Sequence, residues 1–260
     1  MSIEKTYEII KNCIQSNIDS LNVVKQVEEY RQFWKPELTN VILLAESHVY
    51  TDERDFEVKC NKHVLNSFIP NYPIHYVRFV YCLGYGENDI LNQHLGDNRG
   101  TPQYWKIFCS CVAENDKDLG FQKILKTETS LTQRLRNKVN ILQEMQKKGI
   151  WLLDASIVGI YRAIGDYETK EKIIKTCWDE HIRNVIIDCH PKHIIVIGKG
   201  KKSVEDILHW RLEQLRVSMG ISSSALPQPQ GIRRSSEEQL DNFRKYQRIC
   251  SRYCQTPNLS

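Results

Sequence analysis

Three short apolar runs constrain this chain most: Val41-Ile42-Leu43-Leu44-Ala45, Ile150-Trp151-Leu152-Leu153 and His193-Ile194-Ile195-Val196-Ile197-Gly198. Each is too short for a buried helix and apolar at consecutive positions, the pattern of a strand covered on both faces. Between them lie segments with helical spacing. Residues 4–34 place Ile9, Ile10, Ile14, Ile18, Leu21, Val24 and Val27 along a helical stripe, with a break near Asn17–Ser20 and a stop at Pro36. Residues 130–148 repeat the pattern and end at Gly149, and further helices are expected over about 167–186, 203–216 and 236–252. Ile74 to Tyr81 reads as an additional strand, and Tyr104 to Val112 as either a helix or a strand. The stretch 220–235, rich in Ser, Pro and Gly, reads as irregular.

Strands alternating with helices predict an α/β fold, a three-layer α/β/α arrangement around a central, mostly parallel sheet of four to five strands. One domain is expected across residues 1–260, with an N-terminal helical part (1–36) and a C-terminal helix (236–254). A content of 41% hydrophobic and 26% charged residues suits a globular chain, and a net charge of +4 neither requires nor excludes a polyanionic partner. The opening MSIEKTYEII is charged and amphipathic, unlike a signal peptide, and no apolar run is of bilayer-spanning length. Nine cysteines without a CxxC pair then read as reduced, buried thiols. A cytoplasmic protein without membrane attachment is expected.

In an open parallel sheet, ligands bind beyond the carboxyl ends of the strands. That rule selects Glu46-Ser47-His48 after the first run, Asp154-Ala155-Ser156 after the second and Lys199-Gly200-Lys201-Lys202 after the third. The glycines near Lys199 are too close together for a nucleotide phosphate loop, but the basic turn opens a helix and suits a DNA phosphate.

The segment Val41 to Tyr50, with Glu46 at its centre, is similar to the GEAPG motif of the uracil-DNA glycosylase superfamily. Gly149-Ile150-Trp151-Leu152-Leu153-Asp154-Ala155-Ser156 resembles that family's GVLLLNT strand. His193 to Gly198 resembles the strand before its last motif, and Leu226-Pro227-Gln228-Pro229 resembles that motif, HPSP. Thr101 to Phe108 is similar to the DNA-contacting loop and helix. The resemblance spans roughly residues 30–240. It departs from the pattern where Ala45 replaces Gly, His48 replaces Pro, Ser47 stands at the usual aspartate position and Leu226 replaces the HPSP histidine.

The resemblance implies a monofunctional DNA glycosylase that flips a base and hydrolyses its N-glycosidic bond. Glu46 then activates water or stabilises the cation, His48 assists, and Asp154 reads the base with Ser47 alongside. Phe79, Tyr81 and Tyr85 are candidate stacking rings. Gln103, Lys199, Lys201, Gln228, Gln230, Ile232, Arg233 and Arg234 are candidate DNA contacts, Ile232 as a wedge. No metal or cofactor is required, and DNA is the expected partner of a monomer. An asparagine stands in the family where Asp154 stands here, and a carboxylate only accepts hydrogen bonds. It suits the exocyclic amine of cytosine better than O4 of uracil. Sparing ordinary cytosine then requires a pocket demanding a 5-substituent, hydroxymethyl or sugar-bearing as in phage DNA. The polar loop 84–103, with Glu87, Asn88, Asp89, Asn92 and Gln93, is the candidate sugar binder. Three other readings stand beside this one: an ordinary uracil glycosylase, an inactive DNA-binding relative, and a hydrolase using Ser47 with His48 or His190.

Overall fold

The structure of the protein, a computed structural model, describes residues 2–14, 17–161, 163–229 and 237–254. Four strands form its sheet: β1 Val41–Ala45, β2 Ile150–Asp154, β3 His193–Ile197 and β4 Ser222–Leu226. All pair in parallel, in the order β2-β1-β3-β4. The helices are α1 Ile3–Cys13, α2 Leu21–Phe33, α3 Glu53–Phe56, α4 Lys62–Asn66, α5 Pro102–Val112, α6 Leu131–Lys147, α7 Tyr167–Cys177, α8 Arg183–Cys189, α9 Val204–Met219 and α10 Glu237–Tyr253. Helices α5, α6 and α10 pack together as one layer, and α1, α7 and α9 as the other. Apolar side chains from α1 through α10 join one buried cluster. The expected three-layer fold is present, with the sheet fully parallel. Among the described residues no helix is long and apolar enough to cross a membrane.

Local chemistry sets the element ends. Pro102 opens α5, where its missing N–H costs nothing. The Ser130 hydroxyl caps α6 by accepting from the Gln133 amide, and Gly149 follows that helix with a φ of 72°, a conformation that favours glycine. Helices α7 and α8 run on through a wider turn at Trp178–Ile182, so the helix expected over 167–186 extends to Cys189.

Two expectations fail here. The segment 74–81 is not a strand. Its backbone turns on itself, with the Phe79 amide bonded to the Val77 carbonyl and the Cys82 amide to that of Phe79. Tyr76, Val77, Phe79, Val80 and Tyr81 are all buried, so neither face is left to water. Tyr81 takes the place a fifth strand would have: its hydroxyl accepts from the Leu152 amide on the open edge of β2 at 3.0 Å.

Residues 220–235 were expected to be irregular, yet Ser222–Leu226 is strand β4. Gly220 and Pro227 lie just outside that strand, where they interrupt nothing. The serines are held by β3: His193 Nδ1 lies 2.7 Å from the Ser222 hydroxyl and its Nε2 2.8 Å from that of Ser224. The ring also stacks on Tyr253 at 4.4 Å. Burial, with help from the Arg252 charge, lowers the His193 pKa from 6.5 to about 4. Because the folded state disfavours the proton, this histidine leaves stability intact above about pH 6.5 and costs stability as the pH falls toward about 4. The stability gap between wild type and His193→Gln, followed by urea midpoints, is expected to shrink from pH 7 to pH 4.5; an unchanged gap refutes this account.

Candidate functional site

Register brings the two candidate segments together. Ala45 pairs with Asp154, so β1 and β2 end side by side. Pairing continues past the strands, since the Ala155 amide bonds the Ala45 carbonyl at 2.7 Å and the Ser156 amide that of Glu46 at 3.1 Å. Beyond these ends opens a cavity of about 580 Å³. Glu46, Ser47 and His48 line it from β1, and Leu152 and Asp154 from β2. Phe79, Tyr85, Gln103 and Gln228 complete the set of expected residues that meet there.

The floor of the cavity is a chain of buried charges. Arg31, from the last turn of α2, donates through Nη2 to Asp154 Oδ2 at 2.9 Å and pairs through Nη1 with Glu28. On its other side Asp154 Oδ2 lies 3.7 Å from His48 Nδ1. His48 Nε2 in turn lies 3.2 Å from Asp19 Oδ2. Asp19, Arg31, His48 and Asp154 are all buried, so the acids and bases compensate one another where water is excluded. Burial by itself drives an imidazole toward its neutral form, but Asp19 and Asp154 outweigh it and raise His48 from 6.5 to about 9. His48 therefore carries a proton on each ring nitrogen at neutral pH. Its Nδ1 has no hydrogen-bond partner among the described residues. A buried cation and a carboxylate thus stand next to each other at the cavity floor.

The rest of the wall is aromatic and polar. The Arg31 guanidinium sits 5.3 Å from the centre of the Phe79 ring, fixing that ring in place. Tyr104, on α5, is buried and also lines the cavity, and desolvation holds its hydroxyl in the neutral form. Glu46 forms an ion pair with Lys170 of α7 and is partly exposed, which leaves a carboxylate within reach of water. Arg78 is bonded to Asp55 at 2.7 Å and lies 3.5 Å from Asp97, making a charged rim.

Several expected roles are corrected. Tyr81 is no stacking ring, because it lies behind Phe79 at 5.2 Å and spends its hydroxyl on β2. Ser47 is no nucleophile: its hydroxyl donates to the His48 carbonyl and accepts from the Ile160 amide. His190 is exposed at the amino end of β3, opposite the cavity. Lys199 and Lys201 are exposed but do not line the cavity, and the Gly200 and Lys202 amides are taken by Glu205 and Asp206. The internal carboxylates therefore occupy the donors a phosphate would use. Gln230, Ile232, Arg233 and Arg234 lie outside the described residues.

The loop after Gly84 also works differently from expectation. Glu87 is buried against Arg134 and Lys138, Asn88 braces Leu95 and Asn98, and Asn92 accepts from Lys59. Neither these three nor Asp89 or Gln93 line the cavity, which is walled instead by Asp97, Arg99, Gly100 and Thr101. Sequence reasoning missed Asp19, Arg31 and Lys170, whose only signal was a charge on an otherwise ordinary helix or connector. Among the described residues no group of three or more His, Cys, Asp or Glu side chains is placed to hold a metal ion. No family model, curated protein or solved structure matches this chain.

Proposed function

We propose that the chain is a monofunctional DNA glycosylase acting on a modified cytosine, hydroxymethylated or glucosylated, as an anti-phage enzyme of the cytoplasm. The observation that carries this reading is that Glu46 and Asp154 face one cavity of about 580 Å³. That volume falls in the range of about 300–1,000 Å³ typical of pockets for drug-sized ligands, more room than a bare pyrimidine ring requires.

In this scheme a flipped base lies on Phe79, with its exocyclic amine donating to Asp154. The glycosidic bond breaks toward an oxocarbenium-like sugar, and the base departs with the bonding electron pair. The His48 cation, at the cavity floor beside Asp154, stabilises the developing negative charge through its field. Glu46 takes a proton from the attacking water, whose oxygen bonds to C1′ and leaves an abasic site. Gln103 and Gln228, which line the cavity, are the DNA contacts within the described residues. The enzyme works as a monomer without a cofactor.

A second reading keeps the chemistry and takes uracil as the substrate. The observation favouring it is the His48 imidazole lying 3.7 Å from Asp154, since uracil presents an N–H next to a carbonyl oxygen. Duplexes carrying uracil, cytosine, 5-hydroxymethylcytosine or its glucosylated form at one position separate the readings. After incubation and alkali, strand scission is expected only at the substituted cytosines; scission confined to uracil selects the second reading. Glu46→Gln is expected to lower the rate on the order of 10²- to 10⁴-fold while DNA binding by anisotropy is retained. Wild-type binding without scission of any substrate points to a DNA-binding protein instead.

A further inference from the structure

Asp19 belongs to none of the strand ends that supply the cavity, yet it is completely buried beneath them. It lies in the connector between α1 and α2, just ahead of the α2 N-cap Ser20. Its Oδ1 accepts from the Thr51 amide at 2.8 Å, and its Oδ2 accepts from the Gly159 amide and faces His48 Nε2. Its carbonyl accepts from the Tyr7 hydroxyl at 3.0 Å, which ties the connector to α1. One carboxylate thus joins the loop after β1 to the loop after β2. The approach is close enough that a Cβ on Gly159 would come within 2.5 Å of the Tyr50 nitrogen and 3.0 Å of Asp19 Oδ2.

The contacts of Asp19 decide what His48 presents to the cavity. With Nε2 turned to a carboxylate, the ring holds a proton there, and its Nδ1 is buried 3.7 Å from Asp154 Oδ2. No side chain among the described residues takes that Nδ1. An imidazole in this arrangement resembles one whose tautomer and orientation are set by a buried aspartate on its far nitrogen. The charged groups around His48 are Asp19 from the connector, Asp154 from β2 and, through Asp154, Arg31 from α2. The Phe79 ring closes the remaining side at 6.3 Å.

We infer that Asp19 is a positioning residue that fixes His48 as a cation beside Asp154 at the cavity floor, so that the site favours a leaving group departing as an anion. The kinetic part rests on the glycosylase reading; the protonation of His48 does not. Loss of activity should then follow His48 deprotonation at alkaline pH rather than any change in substrate affinity.

The test follows the His48 ring by NMR in the full-length protein, assigned by its loss in His48→Gln, across pH 5.5 to 10. Wild-type His48 is expected to titrate well on the alkaline side of an ordinary histidine. In Asp19→Asn it is expected to titrate lower by about one pH unit or more, a tenfold loss of proton affinity. On whichever duplex is cleaved, the alkaline limb of kcat should move down with it while KM changes less than about twofold, because binding is not what Asp19 sets. A wild-type His48 that titrates near 6.5, or an Asp19→Asn protein whose His48 titration is unmoved, overturns the inference. If Asp19→Asn does not fold, wild type and His48→Gln decide it. An alkaline limb that persists in His48→Gln refutes the assignment, and one that disappears supports it. If no duplex is cleaved, the glycosylase reading fails and the NMR titration still settles the role of Asp19.

Discussion

Glu87→Gln is expected to destabilise the fold by about 3–5 kcal/mol, the usual result of removing one partner from a buried ion cluster. Glu87 takes Arg134 Nε at 2.7 Å and Lys138 Nζ at 2.8 Å, and it has only 2% of its side chain exposed. Lys126, 3.9 Å away, donates to the Gly86 carbonyl at 2.6 Å. Burial raises the pKa of a carboxylate, but Arg134 and Lys138 outweigh that and hold Glu87 down to about 2. A glutamine leaves Lys138 and Arg134 buried without their counter-charge. For a chain of this size the loss corresponds to a melting temperature lower by roughly 10 °C. A melting temperature within about 2 °C of wild type, about 0.5–1 kcal/mol, rules the account out. The sign with pH also follows. Because the folded state depresses this pKa, Glu87 contributes fully above about 4.5 and loses its contribution as the pH falls toward about 2.

The same cluster anchors the cavity wall. Asn98 donates to the Gly84 carbonyl at 2.8 Å and accepts from the Gly86 amide and the Tyr76 hydroxyl. Asp97, Arg99 and Gly100, which follow or flank it, line the cavity. The polar loop that composition marks as a ligand binder thus divides into two parts. Its middle is a buried clamp, and only Tyr85 at its start and the residues from Asp97 onward meet the cavity.

Asp154→Asn is expected to change base preference more than any other single substitution at the cavity floor. The amide retains an acceptor but adds a donor, which suits a carbonyl oxygen and opposes an exocyclic amine. If Asp154 reads the base, the ratio of kcat/KM between substituted cytosine and uracil should fall on the order of 10- to 100-fold, the scale of about 1–3 kcal/mol for one good base contact. The variant also removes a counter-charge from Arg31 and from His48, both buried. Lower stability and a lower His48 pKa should accompany the switch. A ratio that stays constant while both rates fall would show that Asp154 serves only to balance those charges.

How much was legible beforehand depends on whether the signal was local. The runs at Val41, Ile150 and His193 specify strands by themselves, because four or five consecutive apolar residues between turns have few other stable uses. With parallel strands comes the rule that chemistry lies at their carboxyl ends, and Glu46, His48 and Asp154 follow from it. The strand at Ser222 was hidden, since its serines become strand-competent only when His193 of the neighbouring strand takes two of their hydroxyls. The opposite error at Ile74 has the mirror cause. An alternating, aromatic-rich segment looks extended, but burial on every side removes the two faces that alternation assumes.

Sequence alone determined the alternation of strands and helices, the parallel sheet and the identity of the acids and histidine at its edge, because hydrophobic periodicity and strand polarity are properties of neighbouring residues. Tertiary structure alone decided which charges those residues meet. Arg31 is 123 positions from Asp154 and Asp19 is 29 from His48. Electrostatic partners act through space in a medium that excludes water, so the protonation of His48 and the pairing of Asp154 exist only once the chain has closed around them.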